Sequence, residues 1–379
     1  MNDTRATVNH YDVVIAGGGL VGSSAALMLA KQGLRVALVE RRFCGAQASG
    51  VNYGGVRIQG RVPEQMPLAV RARRIYSRLQ ELIGIDGEMI ESGHLRLARR
   101  DEDLHVLDAW AAMAREYGVQ SCVMSGATFR ARYPWLGKAA IGGALCPTDG
   151  HANPRLVSPG FAHAARRAGA DVREQTELGD IAFDGKRFQM RAGAERISAD
   201  WLINAAGAWA NTIAARFGET VPMVPIYPNM WVTEPLPHFI SHSLGVVGGG
   251  VYARQVERGN CVIGGGRGHG DGEYAQPSTA TTRAVMREAS TLLPALRDAL
   301  LIRTWSGVEG ETPDHNPVIG PSRITPRLLH AFGFSGGGFL LAPGVGEVLA
   351  ELVTRGESST PIGPFSIGRF TTTPLPATL

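Results

Sequence analysis

Residues 11–40 read YDVVIAGGGLVGSSAALMLAKQGLRVALVE. Tyr11–Ala16 is a short apolar run that stops at three glycines, as a buried strand does. From Leu20 to Gln32 small and apolar residues recur at helical spacing, and Gly33 supplies a helix stop. Arg35–Val39 predicts a second strand, so the stretch is a strand–turn–helix–strand unit of about 30 residues, the size of a βαβ crossover. Within it, Gly17, Gly19 and Gly22 satisfy GxGxxG, and Glu40 ends the second strand. A strand before the glycines, a helix after them and an acid at that distance make a dinucleotide-binding fingerprint. Gly17 permits the tight turn, Gly19 lets the backbone approach a pyrophosphate, and Gly22 lets the helix pack on the strand. The helix N-terminus, through Leu20 and Val21, offers N–H groups and partial positive charge to phosphates. Glu40 suits a ribose 2′-hydroxyl and disfavours a 2′-phosphate, so FAD or NAD fits and NADP does not.

The rest of the composition narrows the class. The chain has 379 residues, 44% hydrophobic and 19% charged, with formal charge +4. These are values of an ordinary globular protein long enough for two domains. No apolar run reaches the ~18 residues of a membrane span. The polar start MNDTRATVNHYD lacks a signal-peptide layout, which predicts a cytoplasmic protein. Arginine pairs such as Arg41-Arg42, Arg99-Arg100 and Arg166-Arg167 are too short for a nucleic-acid stripe. Cys44, Cys122, Cys146 and Cys261 form no CxxC pair, so no metal site is expected.

Along the chain, helical periodicity predicts helices over 63–84, 101–118, 154–168 and 281–293. Strands are expected at Met89–Ala98, Asp171–Glu174, Arg187–Ala192 and Asp200–Ala205, followed by a strand- and turn-rich stretch from Pro222 to Gly270. Residues 328–354 repeat the opening theme of strand, glycine cluster and long helix. The tail after Arg369 is expected to be poorly ordered or a contact arm.

Over nearly its whole length the chain resembles the D-amino-acid oxidase superfamily of flavoenzymes, the group with glycine oxidase, sarcosine oxidase and the D-amino-acid dehydrogenases. Five blocks carry the resemblance. They are the fingerprint with Glu40; 45–55 (GAQASGVNYGG); 147–154 (PTDGHANP); 203–209 (INAAGAW); and 305–320 (WSGVEGETPDHNPVIG) with 333–343 (GFSGGGFLLAP). The resemblance implies FAD as cofactor. It implies an α/β fold: a Rossmann-type FAD-binding domain plus an α+β substrate domain with a large mixed or antiparallel sheet. The implied division is 8–88, 146–221 and 306–369 for FAD, and 89–145 and 222–305 for substrate. Beyond the fingerprint, the implied FAD contacts are Arg41, Ala48, Ser49, Asn52, Gly54 and Gly55 on the first loop, and Leu178 over the adenine. Ala206, Gly207, Trp209 and Gly307 follow in the chain. Gly336, Gly337, Gly338, Phe339 and Leu340 would begin a helix whose N-terminus faces the flavin pyrimidine ring, where its dipole favours the charge of reduced flavin. No second fingerprint occurs, because the triplets at 248–250 and 264–266 precede no helical pattern. Electrons should therefore enter from an organic substrate rather than from NAD(P)H.

For the substrate, the resemblance implies hydride transfer from an uncharged amine to flavin N5, with the protein supplying orientation. Tyr252 matches a substrate-contacting tyrosine of glycine oxidase; an ordinary strand aromatic is the competing reading. Glu309 stands where glycine oxidase has the arginine that holds the substrate carboxylate and monomeric sarcosine oxidase a tyrosine. A charged carboxylate cannot hold another. Either the substrate carboxylate is bound elsewhere, with Arg57 or Arg254 as substitute anchor, or Glu309 meets a cation. His269 and His315 are further polar candidates. Gly307 replaces the cysteine that tethers FAD in sarcosine oxidase, and Leu340 replaces one of its lysines. Lys31, Lys138 and Lys186 lie in none of the matching blocks.

The expectation is an FAD-dependent amino-acid or amine dehydrogenase or oxidase. It would act on a C–N bond of a small amino acid, imino acid or secondary amine. The segment 50–61 (GVNYGGVRIQGR) resembles FAD subunits of multi-subunit amino-acid and opine dehydrogenases, which implies partner chains carrying another flavin or an iron–sulfur centre. Two alternatives are an FAD-binding electron-relay or scaffold subunit, and a flavin hydroxylase, which would need NAD(P)H.

Overall fold

The computed structural model describes residues 9–370. Its first sheet is built around the opening unit: β1 (Asn9–Ala16), α1 (Leu20–Ala30) and β2 (Val36–Val39), with β1 and β2 parallel. Val13, Val14 and Ile15 are fully buried, because both faces of β1 are covered. The sheet runs in the order Val318–Pro321, Leu328–Phe332, Glu195–Asn204, β1, β2, Asp171–Arg173. Its first pairing is antiparallel and the other four are parallel. Phe188–Ala192 and Leu178–Phe183 extend it from the outer half of the long strand Glu195–Asn204.

α1 is buried on almost every side, which explains its small residues. It packs between the helices Pro154–Arg167 and Gly338–Arg355. The approach to the latter is close: a Cβ on Gly346 would lie 2.2 Å from Ser24 Oγ. The Ser24 hydroxyl donates to the Pro343 carbonyl, 3.3 Å away.

The second sheet has eight strands in the order Leu301–Ser306, Pro228–Pro235, Asn260–Arg267, Tyr252–Gln255, Ser243–Val246, His94–Ala98, Gly142–Cys146, Cys122–Ser125. It is mixed, since Ser243–Val246 runs parallel to His94–Ala98 and the other neighbours are antiparallel. Its own apolar cluster contains Leu95, Phe129, Trp231 and Ile263. The expected α/β fold with a large mixed or antiparallel second sheet is therefore observed.

Several elements differ from the sequence reading. The helix expected over 63–84 is a 3-10 turn, Pro63–Gln65, followed by Met66–Tyr76 and Leu79–Ile83. The strand expected from Met89 begins at His94, because Gly93 has φ 74° and breaks the extended run. The Asp200 strand starts earlier, at Glu195, where a hairpin with Phe188–Ala192 recruits polar residues. Leu178–Phe183 and the helices Gly126–Arg132 and Ala210–Arg216 were not anticipated. Of the tail, residues 371–379 lie outside the described residues. No helix among the described residues is long and apolar enough to cross a membrane.

Candidate active site

A cavity of about 650 Å³ is lined from both sheets and is more apolar than polar. That volume and lining suit a sizeable organic ligand. One end is the glycine turn after β1. Gly17 has φ 105°, and a Cβ there would meet the Ala205 carbonyl oxygen at 2.5 Å. Gly19 is the N-cap of α1, with no side-chain cap and no acidic residue in the first turn. The positive end of the helix thus faces the cavity. Gly17, Gly19, Val21 and Glu40 all line it.

Glu40 is fixed by two backbone donors: Gly18 N–H reaches Oε2 and Arg42 N–H reaches Oε1, each at 2.7 Å. Ser49 Oγ accepts from Leu20 N–H at 2.9 Å and ties its loop to the start of α1. Asn52 braces that loop, donating to the Ala48 and Ser49 carbonyls and accepting from Gly54 N–H. Ala48, Ser49, Asn52 and Gly55 line the wall beside Leu178, Ala206, Gly207 and Trp209. The Arg41 guanidinium lies 4.3 Å over the Trp209 ring and pairs with Glu273 at 2.8 Å.

At the other end, Gly307, Gly336, Gly338 and Phe339 line the cavity where the Gly338–Arg355 helix begins. Leu20, Gly22, Gly54, Gly337 and Leu340 lie behind the wall and shape it. A Cβ on Gly22 would sit 2.0 Å from the Gly17 carbonyl oxygen, and one on Gly54 would sit 2.1 Å from that of Ala152. A Cβ on Gly337 would meet Arg61 at 2.6 Å, while Leu20 and Leu340 are core residues.

Tyr252, Arg57 and Glu309 share this cavity. The Tyr252 ring lies across Gly264, where a Cβ would be 2.0 Å from it, and packs edge-on to Tyr53 at 4.9 Å. The closest polar contact of its hydroxyl is Met230 Sδ at 4.0 Å. Burial and the nearby Glu309 charge push the hydroxyl well above its ordinary range, so it stays an O–H donor at neutral pH. Glu309 accepts from Gly336 N–H at 2.5 Å, and burial raises its pKa. Arg57 donates to the Gln59 carbonyl. Arg254 is turned away: its Nε donates to the Tyr53 carbonyl at 2.9 Å, and it is absent from the wall. His269 and His315 are exposed and also lie off the wall.

Two cationic residues on the wall were missed by the sequence reading. Arg61 is 9% exposed, and burial with the Arg57 charge lowers it to about 9. Arg96 is lowered to about 10, again by burial and then Arg57. The signal for Arg96 was a charged residue between Leu95 and Leu97, both buried, in a segment expected as a strand. His94, beside it, is held neutral by burial and donates through Nδ1–H to Gln59 Oε1 at 2.6 Å.

A cavity of this volume lined by the start of α1 and by glycine-rich turns from both ends of the chain fits a flavin dinucleotide. Comparisons with known proteins agree. The family model for FAD dependent oxidoreductases matches residues 12–352. Glycine oxidase of Geobacillus kaustophilus is 28% identical over 95% of this chain and 97% of its own length. Sarcosine oxidase subunit beta of Rhizobium meliloti is 27% identical over 95% and 88%. The solved glycine oxidase of Geobacillus kaustophilus superposes with a TM-score of 0.88 at 26% identity, covering 98% of this chain and 100% of that one. L-proline dehydrogenase of P. horikoshii gives 0.89 at 29%, covering 96% and 98%. The cofactor is FAD, the activity is that of an amino-acid or amine oxidoreductase, and the chain belongs to the family of FAD-dependent oxidoreductases that includes glycine oxidase.

Proposed function

We propose that the protein oxidises the C–N bond of a small amino acid, imino acid or secondary amine to an imine, with Arg57 and Tyr252 as substrate anchors. The observation that carries this is the presence of both side chains on the wall that also holds the fingerprint and the Gly336–Gly338 turn. The relatives named for glycine, sarcosine and L-proline support a small α-amino acid.

Bound FAD supplies a two-electron acceptor at N5. The substrate carbon gives up its hydrogen as hydride while the nitrogen lone pair closes the C=N bond. This needs the amine uncharged and the carbon held at close range, and it needs no strong base in the protein. Accordingly His94 is neutral, and Tyr252 carries a proton it can donate to a carboxylate. Arg57 can take the same carboxylate through its fork. The electron acceptor after flavin reduction is part of the proposal: a partner chain, as the word subunit in one relative's name suggests, or oxygen.

The test is anaerobic mixing of the purified, FAD-loaded chain with glycine, N-methylglycine, proline, D-amino acids and opines. Loss of flavin absorbance with one of these supports the reading. Flavin that dithionite bleaches but none of the amines does would leave an electron-relay subunit instead.

A further inference from the structure

Arg57, Arg61 and Arg96 meet on one wall of the cavity, and among the described residues none has an ion-pair partner. The Arg96 and Arg57 Nη1 atoms lie 2.8 and 3.3 Å from the point a Cβ on Gly60 would occupy. Gly60 is therefore the space into which both forks reach. Arg61 has only two long contacts, at 3.5 Å, to Gln65 and the Gly337 carbonyl, and its Nε is buried without a hydrogen-bond partner.

The neighbouring acids do not answer this charge. Asp149 turns its two oxygens to the N–H groups of Ile58 and Gln59, at 2.8 and 2.9 Å. Glu309 turns an oxygen to Gly336 N–H. Grouping cations in a desolvated pocket is costly unless an anion completes it. Each guanidinium carries several donors in a fixed fork, and one carboxylate fills one fork. Arg57 commits one Nη1 bond to the Gln59 carbonyl and Arg61 only its two long contacts, so the donors left on the three forks exceed what the single carboxylate of a simple amino acid can satisfy.

We infer that the substrate is an amine carrying two carboxylates, one gripped by Arg57 and Arg96 and the other by Arg61. This rests on the amine-oxidising reading above and narrows its substrate class. It also accounts for Glu309: with the carboxylates held on the arginine wall, position 309 has no anion to bind.

The test compares N-(carboxymethyl)alanine with its isostere N-(carbamoylmethyl)alanine, in which one carboxylate becomes an amide. Both are mixed anaerobically with the FAD-loaded chain, and the dissociation constant is read from saturation of the flavin-bleaching rate. The diacid is expected to bind at least about tenfold more tightly. Arg96→Gln, with FAD content as in the parent, should shrink that ratio to within about threefold, and Arg96→Lys should fall between them. Equal affinity for acid and amide in the parent protein overturns the inference, as does an unchanged ratio in Arg96→Gln. If Arg96→Gln does not fold, the parent comparison decides alone. If neither amine bleaches the flavin, thiodiacetate and its monoamide are compared by their perturbation of the flavin spectrum. A preference for the diacid then upholds the anion site, and the amine-oxidation reading is decided separately by the wider amine panel; no preference overturns the site.

Discussion

Two glycines three residues apart separate what the fingerprint does for the fold from what it does for the cofactor. A Cβ on Gly22 would sit 2.0 Å from the Gly17 carbonyl oxygen and 3.2 Å from both Gly17 C and Ile15 Cγ2. Backbone lies on the other side, so α1 must lift from β1 by about 1.5 Å to restore van der Waals contact. Overpacking of this kind costs about 1–3 kcal/mol, while alanine in a helix recovers up to about 1 kcal/mol over glycine. Gly22→Ala should therefore destabilise the flavin-free protein by about 2 kcal/mol. It also carries the amides of the first turn away from the phosphates, and each charge-assisted hydrogen bond lost is worth about 1.5–3 kcal/mol, or tenfold and more in affinity. Gly19→Ala differs. Its backbone, φ −65° and ψ 176°, suits alanine, and within 4 Å its Cβ meets only Ser49 Oγ, at 3.1 Å. The methyl group projects into the cavity. Stability should change by less than about 0.5 kcal/mol, while FAD affinity falls about tenfold or more. Urea unfolding of the flavin-free variants and fluorescence titration with FAD measure the two quantities. Equal loss of stability in both variants, or FAD affinity within about twofold of the parent in both, refutes the assignment.

Tyr252→Phe should raise KM for the amine substrate about tenfold or more, the worth of one hydrogen bond to a charged group, with FAD content and unfolding midpoint unchanged. Its hydroxyl has only the 4.0 Å contact with Met230 to lose, so a fall in stability without a change in KM would return Tyr252 to the core. In the acid range, burial alone would raise the Glu351 carboxyl, but bonds from Arg71 and from Ser359 bring it down to about 2 from an ordinary 4.5. Because the folded value is the lower one, the stability this carboxylate contributes is present above about pH 4.5 and is lost as pH falls toward 2. Glu351→Gln should flatten the dependence of stability on pH across that window, measured by urea midpoints, and an unchanged slope would count against the pairing.

The opening unit was legible because everything that positions it is local. Val13–Ile15, the glycine turn, the small residues of α1 and Glu40 each read directly as strand, turn, close-packed helix and acceptor. Legibility failed where partners come from far along the chain. Leu178–Phe183 alternates weakly, with one buried residue, because it pairs on one side only, so no period marks it. Met89–Ser92 has the composition of a strand, yet only Ile90 finds a partner, an isolated bridge to His151. The polar start of Glu195–Asn204 is extended because Phe188–Ala192 folds back on it, which composition does not announce.

The site divides in the same way. Residues that build the dinucleotide end stand in contiguous motifs, and Gly17, Gly19, Glu40 and Trp209 reach the wall as read. Substrate-side charge was harder, because the residues that bring it to the cavity come from separate segments of the chain. A carboxylate at position 309 reads as the loss of an anchor when that position is considered alone. Folding sets Glu309 against Gly336 N–H and brings three guanidiniums together from a loop and a strand of the other sheet. One of the three, Arg57, was identified because it follows a recognised loop. Arg61 is four residues on, and the same reasoning would have reached it had the burial of the 57–61 turn been foreseen. Arg96 differs, since a strand residue shows which face it serves only when the sheet's register is known. The register pairs Arg96 with Gly245 on one side and Ala144 on the other. Neighbours that small leave the guanidinium room to extend toward Gly60. Where the cavity's positive charge sits is thus a property of sheet pairing as much as of any single residue. An arginine placed at 309 would add a fourth cation to a wall whose three have no ion-pair partner among the described residues.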